Sequence, residues 1–161
     1  MTGIIGQRGI GQRSGVVGPV APNQPAFLCS NSATQSDIPP DTATTVVFDS
    51  VVFDQGGNFG SSTFTAPVTG RYQLNCMLRL GNIDTAADLY WTRFNCSNRS
   101  PIQLWSPGQF SADVTWWSLT MAALVDMDAS DTAKVQINQD GGTDQTDIQI
   151  ADSFFSGFLA C

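Results

Sequence analysis

The chain contains no histidine and no glutamate, and Lys134 is its single lysine. Without histidine there is no Ser-His or Cys-His nucleophile pair and no imidazole metal site. Without glutamate, and with one lysine, the best helix-forming surface residues are missing, which argues against a helical bundle. No stretch approaches the ~20 consecutive apolar residues of a membrane span, so membrane insertion is not expected. The Gly-rich opening from Met1 to Val20 lacks the continuous apolar core of a secretory signal. The expectation is either a protein that stays in the cell that made it, as a virion component assembled in host cytoplasm does, or a mature chain that has been given a start Met.

What is present fits strands and turns. All fourteen acids are Asp, against seven cations in 161 residues, for a net charge of −7. Asp, Asn, Gly, Ser and Thr dominate the polar set and belong in turns. Val, Ile, Phe, Thr and Trp supply much of the apolar set and suit pleated strands. With 42% apolar residues the chain can bury a core of its own. The expected class is a single acidic, all-β, non-enzymatic domain with a short appendage.

The charge is unevenly placed. Residues 1–25 carry Arg8 and Arg13 and no acid, while residues 26–161 carry five cations and all fourteen Asp, so +2 stands against −9. A negative body repels phosphate, which argues against nucleic acid as a partner. A basic segment beside an acidic body suits contact with another acidic protein surface.

That segment is a degenerate repeat. Gly3-Ile4-Ile5-Gly6-Gln7-Arg8 is followed by Gly9-Ile10-Gly11-Gln12-Arg13 and then Gly15-Val16-Val17-Gly18. Its glycine spacing is nearly that of collagen, but it is short and holds one proline, so a triple helix is a poor fit. Ordering so much glycine costs more than a few apolar side chains return. A plain linker would not need the apolar residues, so Ile4, Ile5, Ile10, Val16 and Val17, with Arg8 and Arg13, read as anchors that dock residues 1–24 on a partner. Pro19, Pro22 and Pro25 mark the boundary to a domain over residues 25–161.

Within that domain the strand signals recur regularly. Ala26–Ser30 is a short apolar run. Val46-Val47-Phe48 and Val51-Val52-Phe53, separated by Asp49-Ser50, read as two short strands with a corner between them. From Gly70 to Leu80, Tyr72, Leu74, Cys76, Leu78 and Leu80 alternate with Arg71, Gln73, Asn75 and Arg79, which is the strongest strand signal in the chain. Asp88–Cys96, Trp116–Leu124, Lys134–Asn138 and Phe154–Leu159 complete about eight to ten strands, so the pattern is that of a β-sandwich or jelly roll.

Val46-Val47-Phe48-Asp49, Gly57-Asn58-Phe59, Phe64-Thr65-Ala66-Pro67-Val68-Thr69-Gly70-Arg71-Tyr72 and the closing Phe155-Ser156-Gly157-Phe158-Leu159 together resemble the globular head of the complement C1q family, over residues 25–161. The resemblance implies a ten-stranded jelly roll, similar to tumour-necrosis-factor-like heads, that assembles as a homotrimer and binds receptors, glycans or proteins without catalysis or cofactor. Phe64, Tyr72, Leu74, Phe155 and Phe158 are then core or trimer-packing residues, with Gly157 admitting close approach between Phe155 and Phe158. Two departures stand out. Ala129-Ser130-Asp131 replaces the family's Gly-Asp turn, and a 20-residue arm precedes the head in place of a collagen stalk.

The remaining candidates are weaker. Cys76 lies on the core face of its strand as a buried thiol. Cys29 and Cys161 fall on first and last strands that are neighbours in this fold family, which leaves a bridge between them open, and Cys96 has no assigned partner. Asp126, Asp128 and Asp131, and the loop from Asp140 to Asp147, could offer oxygens to calcium, although solvated turns are the preferred reading. Asn95-Cys96-Ser97 and Asn98-Arg99-Ser100 are glycosylation sequons. Trp105, Trp116 and Trp117 could line a sugar site, but adjacent tryptophans more often straddle core and subunit interface. The function expected is a virion structural protein, a trimeric capsid decoration or cement protein of bacteriophage type, whose residues 1–20 grip a capsid or other virion protein. The alternatives are a receptor-binding knob of a phage tail fibre and a secreted complement-type lectin or ligand.

Overall fold

The computed structural model describes residues 24–150 and 152–161. The anchor residues Ile4, Ile5, Arg8, Ile10, Arg13, Val16 and Val17 lie outside the described residues. In chain order the strands are β1 (Ala26–Ser30), β2 (Gln35–Ile38), β3 (Thr44–Thr45), β4 (Ser50–Gln55), β5 (Phe59–Gly60), β6 (Thr63–Thr65), β7 (Gly70–Ile83), β8 (Ala87–Cys96), β9 (Ile102–Trp105), β10 (Val114–Met127), β11 (Thr132–Gly141), β12 (Thr146–Ile148) and β13 (Phe154–Leu159), with a 3-10 turn at Pro107–Gln109. These thirteen segments exceed the expected ten because bends divide strands into pieces as short as two residues.

The segments form two antiparallel sheets packed face to face. The first contains β2, β12, β7, β13, β1 and β4, with β10 on the far side of β7; the second runs β5-β6-β11-β8-β9, with β3 also on β11. β13 pairs with the first half of β7 and β12 with its end, while β1 and β2 pair with β13 and β12 in turn. The seven segments of the first sheet are thus five strands wide. β10 follows β7 from Val114 opposite Ile83 to Met127 opposite Gly70.

The alternation in β7 works as its sequence predicts. Tyr72, Leu74, Cys76, Leu78 and Leu80 are fully buried and the intervening residues face outward. The corner at Asp49-Ser50 is where the chain changes sheet: β3 pairs with β11 and β4 with β1. Val46-Val47-Phe48, expected as a strand, instead forms the connection between β3 and β4, with Val46 and Phe48 buried. Phe27 stacks on Phe64 at 4.7 Å between ring centroids and on Phe59 at 4.9 Å, and meets the edge of Phe155 at 4.9 Å. Aromatic pairs at such separations contribute about 1 kcal/mol each beyond their burial.

The all-Asp acid set has a local structural basis. Asp54 accepts hydrogen bonds from the backbone N–H of Asn58 and Phe59 at 3.0 and 2.9 Å. Asp131 likewise accepts from Asp128 within its own turn, whereas Asp41 accepts from Gly141 and Asp147 from Asp37, tying together segments distant in sequence. A carboxylate on a single methylene reaches nearby backbone amides and staples a turn, and a longer Glu does so at greater entropic cost. Among the described residues every non-glycine with positive φ is Asp, Asn or Ser, and Asp and Asn are the types that best tolerate that conformation.

Candidate protein-interaction face

Phe64, Tyr72, Leu74 and Phe155 are buried in the core, but Phe158 is 44% exposed. Phe158 is therefore not a core residue of the single chain, because strand alternation turns it outward when Phe155 and Gly157 face in. Gly157 also serves a different pair from the one expected. A Cβ there would stand 2.8 Å from both Leu74 Cδ2 and Phe27 Cε1, so the glycine admits those two side chains and not Phe155 and Phe158. Gly70 opens β7 as expected, where a Cβ would meet Leu159 Cδ1 at 2.5 Å.

The outward residues of the first sheet line up in rows across its five strands. One row is Gln55, Ala26, Phe158, Gln73 and Leu124; the next is Phe53, Leu28, Ser156, Asn75 and Ala122; the third is Ser50, Ser30, Phe154, Met77 and Thr120. None of these fifteen residues is charged, in a domain that carries fourteen Asp. Ion pairs stand at the two ends of the face, Arg79 with Asp152 at 3.4 Å and Arg99 with Asp126 at 2.9 Å. Phe53, Leu124 and Phe158 are each about half exposed, and Phe53, Ile150, Phe154 and Phe158 line a shallow groove of about 710 Å³. An uncharged centre that mixes exposed apolar and small polar side chains, with a charged rim, is the anatomy of an interface between chains.

The other sequence candidates separate. Cys29, Cys76 and Cys96 are buried free thiols and Cys161 is an exposed one. The bridge from Cys29 to Cys161 does not form: register sets Cys29 opposite Phe155, six residues short of Cys161, which is about 20 Å along a strand. Cys161 instead closes the domain, its carbonyl accepting from the Arg71 N–H at 2.7 Å. Asp126, Asp128 and Asp131 do not converge on a point. Asp126 pairs with Arg99, Asp128 accepts from the Thr69 hydroxyl, and Asp131 staples its own turn. Among the described residues no three Asp or Cys side chains are grouped as a metal ion requires. The three tryptophans do not form one site either. Trp105 stacks on Tyr90 at 4.5 Å and lies 6.3 Å from Trp117, inside the edge of the core. Trp116 faces outward on the first sheet, its ring covered by the Arg79 guanidinium at 4.5 Å.

Sequence reading passed over Asp84, a buried carboxylate whose only cue is a polar residue after the last inward position of β7. It accepts from the backbone N–H of Ala86 at 2.7 Å, Thr143 at 2.6 Å and Asp144 at 2.9 Å. Burial pushes this carboxyl up, but the three donors together outweigh burial and hold it below the ordinary carboxylate range. Its own N–H donates to the Tyr90 hydroxyl at 3.1 Å, which is 2.8 Å from the Thr146 hydroxyl. The network ties the β7–β8 and β11–β12 loops together at one end of the sandwich.

The two face-to-face antiparallel sheets define a jelly-roll head. Residues 26–160 match the C1q domain family model, and the chain belongs to that family. Its fold is similar to the globular domain of zebrafish complement 1qA protein, with TM-score 0.61 and 18% identity over 85% of this chain and 97% of that one. Murine APRIL is similar as well, in one crystal structure with TM-score 0.58 and 13% identity over 85% of this chain and 99% of the other. Among curated protein sequences none matches this chain at a significant level.

Proposed function

We propose that the chain is a non-catalytic head that works as a homotrimer, with the outer face of the first sheet as the contact between copies. The observation that supports this is the charge-free face centred on Phe158, Leu28 and Leu124 in a domain of net charge −9. A second copy offers the same apolar surface, and closed symmetry buries it without leaving an edge. The second sheet then faces outward.

Within that class the role we favour is a virion structural protein, a decoration or cement protein assembled in host cytoplasm. Residues 1–25 carry +2 and the apolar anchor pairs Ile4-Ile5 and Val16-Val17, a composition suited to lying along an acidic particle surface. Three anchors on one trimer bind with avidity that one lacks. Three buried thiols left unbridged fit a protein that folds in a reducing compartment. Deleting residues 1–20 should leave a folded trimer that no longer binds particles. If the truncated trimer still decorates them, the docking role of those residues is wrong.

A further inference from the structure

The outer face of the second sheet reverses the charge of the molecule around it. Register places Asn138, Trp91 and Leu104 in one row across β11, β8 and β9, with Gln136, Arg93 and Ile102 in the next, and Lys134 beside Asn95 in the row beyond. Arg93 and Lys134 are two of the five cations of residues 26–161, and neither has a carboxylate partner among the described residues. None of these rows holds an Asp; Asp140 stands in the row beyond Asn138, two rows from Arg93, and its carboxylate accepts from Asn138.

Arg93 is held in place. Its Nε and Nη2 both donate to Gln136 Oε1, at 2.9 and 2.8 Å, and its guanidinium lies 4.9 Å over the Trp91 ring. Gln136 is itself nearly buried. Two of the five N–H groups of the guanidinium are thus used, which leaves Nη1 and the rest of Nη2 as an oriented pair of donors. Beside it Ile102 and Leu104 are 50% and 56% exposed. Arg and Trp are among the residues that concentrate binding energy in protein interfaces, the two exposed aliphatic residues beside them add apolar area, and pre-ordering of the Arg lowers the entropic cost of using it.

We propose that this face is a docking surface for an acidic polypeptide segment, in which a carboxylate takes the free edge of Arg93 and flanking apolar side chains pack on Ile102 and Leu104. A glycan fits less well, because Arg93 already covers a face of Trp91 that a sugar ring would use. Two cations on an acidic body do not hold a nucleic acid backbone. The site lies on the sheet opposite the trimer contact, so each can fail without the other.

A displayed library of random twelve-residue peptides, selected on the intact native protein, tests this. Selected peptides should be rich in Asp or Glu next to Leu, Ile or Val. Their affinity should fall at least tenfold in Arg93→Gln and in Leu104→Asp, and severalfold in Gln136→Met, which keeps the cation but frees it. Unchanged melting temperatures and native mass confirm that these variants fold. Selection of basic or charge-free peptides, absence of any enrichment, or equal affinity in Arg93→Gln would overturn the proposal. So would Arg93-dependent binding confined to a glycan array.

Discussion

Phe158 on β13 and Leu124 on β10 stand on either side of Gln73 of β7, in one uncharged row across the outer face of the first sheet. Both are about half exposed in the single chain. Phe158→Asp and Leu124→Asp should therefore leave the fold intact, with little loss of single-chain stability, and weaken association strongly. Circular dichroism should be unchanged while size-exclusion mass falls to that of one chain.

Gly157 makes the opposite case, a position where the chain has no room. With Leu74 Cδ2 and Phe27 Cε1 both 2.8 Å from the place of a Cβ, and the Gln73 carbonyl at 3.1 Å, Gly157→Ala overpacks the core. The expected loss is about 1–3 kcal/mol, read as a lower denaturation midpoint in urea with the slope unchanged. Neutral behaviour would mean that the Leu74 and Phe27 side chains yield more easily than their packing indicates.

Asp84 gives the domain an acid-sensitive clamp. Its folded carboxyl titrates below the ordinary value of ~3.9, so the stability it adds is complete above that value. It is lost as pH falls through the lower folded value. Asp84→Asn turns one of the two accepting oxygens into a donor facing backbone N–H groups, at a cost of about 1–3 kcal/mol. The difference between wild type and Asp84→Asn should be constant from pH 5 to 7 and shrink below about pH 4. Denaturant melts across that range measure it.

The cysteines should divide three to one. Burial pushes the Cys29, Cys76 and Cys96 thiols up to about 12, and all three are enclosed, whereas Cys161 is exposed. Iodoacetamide on the native protein should add one label, on Cys161, and four after denaturation. Mass spectrometry of the labelled chain counts them.

Much of this architecture was legible in the sequence where one physical constraint acted alone. Alternation along Tyr72 to Leu80 fixed a strand and its inner face because nothing competes with period-two burial. The corner at Asp49-Ser50 could be read because polar residues interrupt two apolar runs. β2 and β12 escaped notice because Gln35–Ile38 and Thr146–Ile148 are short and mostly polar, and their pairing partners are distant in sequence. Phe158 reads only as core or trimer packing, because an aromatic in a closing strand gives no sign of which sheet surface it joins. The Arg93–Gln136–Trp91 arrangement depends on the register between β8 and β11, forty-three residues apart for its hydrogen-bonded pair. Nothing local in the sequence encodes that register.

The most direct test of the central claim is the mass of the native protein in solution, by sedimentation equilibrium at micromolar concentration, beside Phe158→Asp. The wild type should give about 52 kDa, three times the 17.2 kDa chain, and Phe158→Asp should give the mass of one chain with unchanged circular dichroism. A wild type that sediments as a single chain, or a Phe158→Asp variant that stays fully trimeric, would contradict the assignment of the first sheet's outer face as the contact between copies.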